Sequence, residues 1–449
     1  MKAFVLRSYG SPDHLDLADI DKPVPGDDEV LVRVGATSVN PYDWHIMRGE
    51  PYIARLMPGG LGLRGPKLGI LGCDMAGQVE AVGRDVTQFG PGDEVFALLP
   101  GGGFGEYVTV AEDLLARKPG LLSFEQAAAV PMAAVTALVG LRDRGRIQSG
   151  QQVLINGASG GVGTFAVQIA RAFGATVTGV CSARHADLVR SIGADEVIDY
   201  AKQDFTRSGR RYDLILDVAG SRSSWACRRA LTAKGTFVIV GGPAGRWVQP
   251  VGHAFSSLAA GPLISQTVVM ADAVGRAQKK QDLMTLTTLM EDHGVTPIID
   301  RGYPFGELKA AIRYQEEGHA QGKVVVTVAG GLVATGPARR MPMGPNGPWR
   351  YARALALACS QRLSERRSAC WGYGDDLCGR AGHDRVRGPV VSALQAGQEV
   401  PGRPPGPLHL HRHRRRSRGH RATQAAAGRR ADHPHGDLPG RGARGEPEQ

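Results

Sequence analysis

The sequence predicts an α/β protein: a β-rich N-terminal domain, then a doubly wound parallel sheet, then a disordered C-terminal tail. Three observations predict this order. Short apolar runs broken by Gly, Pro and Asp fill the first part of the chain, which is typical of a compact, barrel-like β unit. Strand-like and helix-like runs then alternate, as in a parallel sheet covered by helices. The last part lacks hydrophobic periodicity and cannot bury a core.

The predicted elements set the domain limits. The strands of the first domain are predicted at Lys2–Arg7, Glu29–Ala36, Gly77–Val82, Glu94–Ala97 and Glu106–Val110. The parallel sheet is predicted from Val153–Ile155, Thr176–Val180, Glu196–Ile198, Leu214–Asp217 and Thr236–Val240, with helices at Thr164–Phe173 and Ala186–Ile192. A helix over 305–318 and a strand Lys323–Val328 are predicted to return to the first domain. We therefore divide the chain into residues 1–123, 124–265, 266–328 and 329–449.

The net charge of +11 comes from the tail alone. Residues 329–449 hold 21 Arg, no Lys and 9 acidic residues, whereas residues 1–328 hold 33 basic and 34 acidic residues. Nucleic-acid binding by the body is therefore not expected. Arg without Lys indicates GC-rich coding in an unintended frame, so the tail is interpreted as a frameshifted extension. A genuine disordered basic arm is the alternative.

The cysteines and the apolar runs favour a cytoplasmic protein. The six cysteines include no CxxC pair, so neither a disulfide framework nor a cysteine zinc cluster is indicated. The N-terminus reads as a strand rather than a signal peptide. The longest apolar stretch, Ala127–Leu141, contains Pro131 and is too short to span a membrane.

A glycine-rich turn near the middle of the chain predicts dinucleotide binding. The strand Val153–Ile155 runs into Asn156-Gly-Ala-Ser-Gly-Gly-Val-Gly163, and a helix-like segment follows. Gly160 and Gly161 allow a tight turn and close approach of a pyrophosphate, while Gly163 allows the helix to pack on the strand. The amides at the start of the helix then face the phosphates.

The residues after the second strand of this unit favour NADPH over NADH. An NAD site usually places Asp or Glu there, but the chain reads Cys-Ser182-Ala-Arg184-His, with no acid before Asp187. Ser182 can donate a hydrogen bond, and Arg184 can pair with a phosphate. The alternative is that Arg184 only caps a solvated helix start.

Many short motifs in order resemble the zinc-independent quinone oxidoreductase branch of the medium-chain dehydrogenase/reductase superfamily. They lie throughout residues 1–328 and are Lys2-Ala3 with Tyr9-Gly10, Glu29–Val34, Ser38–Asp43, Gly72–Gly77, Gly90–Val95, Asn156–Gly163, Gly193–Asp195 with Ile198–Tyr200, and Gly322–Val325. The resemblance implies a GroES-like catalytic domain, a Rossmann domain, a site in the cleft between them and a homodimer.

The resemblance also frames the metal question. Zinc alcohol dehydrogenases of this superfamily carry Cys at or beside the position of Asn40 and Gly-His-Glu in place of Gly72-Cys73-Asp74, so no metal is expected. A catalytic zinc site needs three protein ligands. Without a Lewis acid, the hydride acceptor must delocalise its own charge, which favours a quinone or an α,β-unsaturated carbonyl over a simple ketone.

The family pattern supplies candidate site residues. Asn40, Asp43, His45 and Tyr52 are candidates for donating a hydrogen bond to the forming oxyanion. Asn40 and Asp43 have the alternative role of ordering the turn before a helix, and His45 that of a structural histidine. The predicted cofactor contacts are Thr136, Ser159, Gly160, Gly161, Val162, Gly163, Ser182, Arg184, Tyr200, Gly241, Gly242, His319, Ala320 and Gln321.

Two alternatives to this function stay open. A regulator or sensor on the same fold would bind NADPH without turning over any acceptor, since a fold does not fix a function. A weak alcohol or aldehyde reductase is the other. For His319-Ala320-Gln321, a plain surface loop is the alternative to a cofactor contact.

Overall fold

The computed structural model describes residues 1–56, 61–62, 65–241, 266–273 and 275–328. The predicted disordered tail and Gly242 lie outside these residues. The strands are β1 Lys2–Leu6, β2 Leu15–Asp19, β3 Glu29–Val39, β4 Asp74–Val82, β5 Glu94–Leu98, β6 Tyr107–Ala111, β7 Leu115–Arg117, β8 Gln152–Asn156, β9 Thr176–Cys181, β10 Glu196–Asp199, β11 Tyr212–Asp217, β12 Leu231–Ile239, β13 Thr267–Met270, β14 Ile299–Pro304 and β15 Lys323–Thr327.

Helices lie between many of the strands from β8 onward, and four more precede β8. The α-helices are α1 Pro41–Arg48, α2 Ile53–Leu56, α3 Phe124–Ala128, α4 Pro131–Leu138, α5 Gly161–Ala172, α6 Ala186–Ser191, α7 Ser224–Arg228, α8 Lys279–His293 and α9 Leu308–Glu316. None of the helices in the described ranges has the length and apolar character needed to cross a bilayer.

Six strands form a parallel sheet in the order β10-β9-β8-β11-β12-β13. This is the order of a doubly wound dinucleotide-binding sheet. The chain starts at the central strand β8, adds β9 and β10 on one side, and then returns to add β11, β12 and β13 on the other side. The carboxyl ends of the strands share one edge, so Asn156, Cys181 and Asp199 end neighbouring strands there. The predicted α/β class with a doubly wound sheet is confirmed.

A second sheet is built from both ends of the described chain. Its order is β14-β15-β3-β4-β5-β7, and β6 pairs with the first half of β3. Strand β15 joins β3 antiparallel, so the last described strand pairs with a strand of the first part of the chain. Strands β1 and β2 form a separate antiparallel pair.

Helix α4 connects the two sheets through the core. All eight of its residues are buried, as expected for a helix that is apolar on every side. It packs against α5 and α8 and also contacts β4 and β5. One continuous apolar cluster therefore runs from Phe96 of the second sheet to Val153 of the first.

Several elements differ from the expected bounds. Helix α5 begins at Gly161 rather than Thr164, and β12 begins at Leu231 rather than Thr236. Strand β4 begins at Asp74, three residues before the predicted start. Strands β2, β7, β13 and β14 and helix α8 were not predicted. Strand β13 lies just beyond the domain limit predicted at residue 265 but pairs with β12; the domain limits as a whole stay a prediction.

Candidate active site

The glycine-rich segment over residues 157–163, the phosphate turn, links β8 to α5 at the carboxyl edge of the parallel sheet. A Cβ on Gly163 would lie 2.0 Å from the carbonyl oxygen of Gly157, so only glycine lets the helix approach the strand this closely. Gly160 is the N-cap residue and has no side chain with which to cap the helix. The first amides of α5 are thus left for an anion, as in phosphate-binding helix starts.

Two buried polar atoms near this turn have no hydrogen-bond partner among the described residues. They are the hydroxyl oxygen of Ser182, directly after β9, and Nε2 of His185, three residues later. Buried polar atoms are ordinarily hydrogen-bonded. Two such orphans beside an uncapped helix start fit a dinucleotide, whose phosphates and ribose would supply the missing partners.

The other predicted contacts on the adenosine side are solvent-accessible. Arg184 lies in the same short turn as Ser182 and is exposed. Tyr200 follows the end of β10 and is 57% exposed. The sequence analysis missed His185, which is only 5% exposed and whose Nδ1 lies 3.0 Å from the hydroxyl oxygen of Ser159. Its position in the turn after the second strand was the one available signal.

Three further predicted cofactor contacts lie in α4, after β12 and in α5. The Thr136 hydroxyl donates to the carbonyl of Met132, 2.6 Å away on its own helix. Gly241 follows β12, and a Cβ there would lie 2.2 Å from the Val218 carbonyl oxygen. Val162 is half-buried in the first turn of α5.

The loop before β15 reaches the phosphate turn. The amide of Gly322 donates to the Ser159 carbonyl at 3.0 Å, and Gly322 bridges to Gly160. His319 is exposed, whereas Ala320 and Gln321 are half-buried. The predicted tripeptide His319-Ala320-Gln321 thus directly precedes the residue that contacts the phosphate turn.

A buried polar network holds the start of α1 beside the strand β4. The Asn40 amide nitrogen donates to Asp74 Oδ2 at 2.9 Å and lies 3.3 Å from Cys73 Sγ. The backbone amide of Asn40 donates to Asp43 at 2.8 Å, and the Gly72 amide donates to the other Asp43 oxygen at 3.2 Å. Asn40 and Asp43 are thus bonded within the protein, in the helix-ordering role named as their alternative.

The sequence analysis gave no role to the centre of this network, the ion pair Lys323–Asp74. The two charged atoms are 3.1 Å apart, and the side chains are 3% and 0% exposed. Lys323 also donates to the Asn40 side-chain oxygen. Asp74 further accepts from the Ser38 hydroxyl at 2.5 Å and from the Met132 amide at 2.7 Å. Because Lys323 follows Gly322, the network and the phosphate turn are joined by adjacent residues.

Burial changes the pKa of several groups here. It raises the pKa of Asp43 to about 7, with the Asp74 charge adding to the effect and Lys323 opposing it. Burial likewise raises the pKa of the Cys73 thiol and lowers that of His45. It raises the pKa of Tyr42 to about 12. Near neutral pH, Asp43 is therefore close to the midpoint of its titration and the Cys73 thiol stays protonated beside the Lys323–Asp74 pair.

The last two predicted substrate contacts lie on α1 and just after it. The His45 ring stacks on Trp44 with 3.8 Å between ring centroids, and its Nδ1 is buried without a partner in the described part of the chain. The Arg55 guanidinium lies 4.7 Å from the Tyr52 ring centroid and 4.2 Å from that of Tyr9. The catalytic roles of Asn40, Asp43, His45 and Tyr52 stay predictions.

No three His, Cys, Asp or Glu side chains in the described ranges come together in a way that could hold a metal ion. Cys73 and Asp74, the two possible ligands at the family position, are bonded as described above, and Asp74 is paired with Lys323.

Family comparisons agree with this architecture. The family model "Alcohol dehydrogenase GroES-like domain" matches residues 26–120, and the model "Zinc-binding dehydrogenase" matches residues 192–326. The chain belongs to the medium-chain dehydrogenase/reductase superfamily. The predicted family, its GroES-like and Rossmann domains and an oxidoreductase activity are confirmed.

Three similar proteins illustrate the relationship. The mitochondrial NAD(P)H oxidoreductase RTN4IP1 of Bos taurus is 34% identical over 355 residues, covering 73% of this chain and 89% of the relative. A chloroplast envelope quinone oxidoreductase homolog of Arabidopsis thaliana is 31% identical, and the alignment covers 73% of this chain and 98% of the relative. The solved quinone oxidoreductase from Coxiella burnetii has a TM-score of 0.63 at 27% identity, covering 73% and 99% of the two chains.

Proposed function

We propose that this oxidoreductase transfers hydride from NADPH to a quinone or an α,β-unsaturated carbonyl, without zinc. The observation that carries the cofactor choice is the buried, unpartnered Ser182 hydroxyl directly after β9, with Arg184 in the same turn. A serine and an arginine at this place suit a 2′-phosphate, whereas a carboxylate would suit the free ribose hydroxyls of NADH.

The chain's own residues would hold and orient the cofactor. The amides at the start of α5 would bind the pyrophosphate, and Ser182, Arg184 and Tyr200 would surround the adenosine phosphate. The nicotinamide, when bound, supplies the hydride. The Lys323–Asp74 network would fix the catalytic domain against the phosphate turn through Gly322.

The proposed acceptor follows from the donor set of the catalytic domain. Asn40, Cys73 and Asp74 occupy the positions at which zinc relatives carry ligands, and here they bond to one another and to Lys323. An ammonium-paired carboxylate is a poor metal ligand, which supports a reaction without a Lewis acid. Conjugated acceptors delocalise the charge that hydride addition creates. The quinone oxidoreductase names of relatives support the same class.

The test is turnover by the full chain after treatment with a chelator. NADPH oxidation would be followed by absorbance with a benzoquinone, an open-chain enone and a simple aldehyde. We expect oxidation with the quinone or the enone, well above the rate with the aldehyde. Tight NADPH binding without oxidation in any of the three would favour the regulator. Activity that disappears with the chelator and returns with zinc would contradict the zinc-independent mechanism.

A further inference from the structure

His185 is buried between two parts of the cofactor site. Its side chain comes from the short turn after β9, and its Nδ1 lies 3.0 Å from the hydroxyl of Ser159 in the phosphate turn. The ring is 5% exposed, and nothing in the described ranges hydrogen-bonds its Nε2. A histidine packed for structural reasons alone would be expected to satisfy both ring nitrogens.

The direction of the ring indicates what Nε2 faces. The two nitrogens of an imidazole point to widely different sides, so a ring that turns Nδ1 toward Ser159 turns Nε2 away from the pyrophosphate-binding turn. The second buried orphan, the Ser182 hydroxyl, lies on the same short turn. One missing group that accepts hydrogen bonds from both would satisfy the two atoms together, and a phosphate monoester has three such oxygens.

We propose that His185 binds the 2′-phosphate of NADPH as an imidazolium, so that NADPH binding takes up a proton and the preference for NADPH over NADH rises as pH falls. This inference rests on the proposed NADPH dependence and adds to it a residue and a proton linkage. The proton comes from solvent and is held on Nε2, which donates it to a phosphate oxygen.

The charges around the ring set the free state. Burial lowers the pKa of His185, the neighbouring Arg184 lowers it further, and Asp300 of β14 opposes them by raising it. The free protein therefore carries a neutral ring at neutral pH. A phosphate dianion against Nε2 would favour the charged form, as an opposite charge at hydrogen-bond distance does. Between the lowered pKa of the free state and the raised pKa of the complex, each binding event takes up a proton.

Protonation also changes the contact with Ser159. A neutral ring that carries its proton on Nε2 accepts from the Ser159 hydroxyl, whereas an imidazolium has a donor on both nitrogens. In the complex, Nδ1 would donate to Ser159, which frees the hydroxyl proton of Ser159 to bond the pyrophosphate. His185 would thus contact the 2′-phosphate directly and act on the pyrophosphate through Ser159.

The experiment is calorimetric titration of the full chain with NADPH and with NADH at about pH 7 and about pH 8.5, in buffers of different ionisation enthalpy. The expected result is uptake of up to one proton per NADPH, none for NADH, and an NADPH dissociation constant that weakens by up to about tenfold per pH unit. H185Q should lose both the proton uptake and the slope. H185K, which stays charged, should lose the uptake but keep tight NADPH binding.

The control variant is H293Q, because His293 is exposed at the end of α8. It should behave as the wild type does. Three outcomes would overturn the inference: no uptake with NADPH, uptake that H185Q retains, or equal uptake with NADH, which would move the contact to the pyrophosphate. Failure of the proposed cofactor choice is a separate result, namely NADPH binding no tighter than NADH at any pH.

Discussion

The polar groups at the end of β9 and those around Asp74 differ in whether their buried atoms have hydrogen-bond partners. Around the end of β9, Ser182 and His185 keep buried polar atoms without partners in the described chain. Around the start of α1, Asp74 accepts bonds from Lys323 and three other donors. Unsatisfied groups lower stability unless a ligand binds, whereas a saturated network fixes geometry. We therefore infer that the first region binds the cofactor and that the second holds the domains in place.

The largest effect should come from breaking the saturated region. K323M leaves the Asp74 carboxylate buried without its counter-charge, and we expect a loss of about 3–5 kcal/mol in the free energy of unfolding, measured by urea denaturation. K2M removes one partner of the exposed Lys2–Asp19 pair and should cost under about 1 kcal/mol. Adding D74N to K323M should recover much of the loss; a K323M protein as stable as K2M would contradict the role given to the pair.

Position 163 should tolerate no side chain. In G163A, the new Cβ meets the Gly157 carbonyl oxygen, so the helix must shift at a cost of about 1–3 kcal/mol and NADPH and NADH affinity should fall together. G306A is the matched control, because nothing lies within 4 Å of a Cβ there. Dissociation constants from cofactor fluorescence would report the effect, and unchanged binding by G163A would show that the turn does not contact the cofactor.

The raised pKa of Asp43 predicts a sloped stability profile. Its contribution is fully present below the unfolded pKa of about 3.9. It is lost as pH rises through the folded value of about 7. Relative to D43N, the wild type should therefore lose up to about 1.4 kcal/mol of unfolding free energy per pH unit in this window. D16N, at an exposed site, is the control. A flat difference between the wild type and D43N would mean that Asp43 keeps an ordinary pKa.

The smallest expected effect separates the cofactors in the unsatisfied region. S182A and R184A should each weaken NADPH binding by about tenfold, the worth of one charge-assisted hydrogen bond, and leave NADH binding unchanged. R84A, which removes an exposed arginine from the turn after β4, should change neither constant. Equal losses for both cofactors in S182A would indicate a ribose contact rather than a phosphate contact.

The fold was predictable because its signals are local. The strand, glycine turn and helix around Gly160 are contiguous, and the alternation of elements that follows needs no tertiary information. Strand β14 was missed because its sequence contains Asp, Arg, Gly and Pro, and it forms only by pairing with β15. Helix α8 was missed because its N-cap residue, Gln278, makes no side-chain cap and the helix carries three threonines.

The site was predictable only in part. The residues around Ser159 and Ser182 follow strand ends, where ligands of such sheets bind. The Lys323–Asp74 pair joins residues 249 positions apart, a contact that no local pattern contains. His185 was missed because its partner Ser159 lies in the turn after a different strand, β8, and the sequence does not show that the two turns meet. The predicted homodimer, the cytoplasmic location and zinc independence stay predictions.

The measurement that tests the central claim most directly is the ratio of kcat/KM for NADPH to that for NADH, with a benzoquinone as acceptor and the full chain treated with a chelator. We expect a ratio above about 10, as one phosphate held by hydrogen-bonding and charged side chains would give. A ratio near or below one would show that the region around Ser182 and Arg184 does not select the phosphate, and would contradict the account.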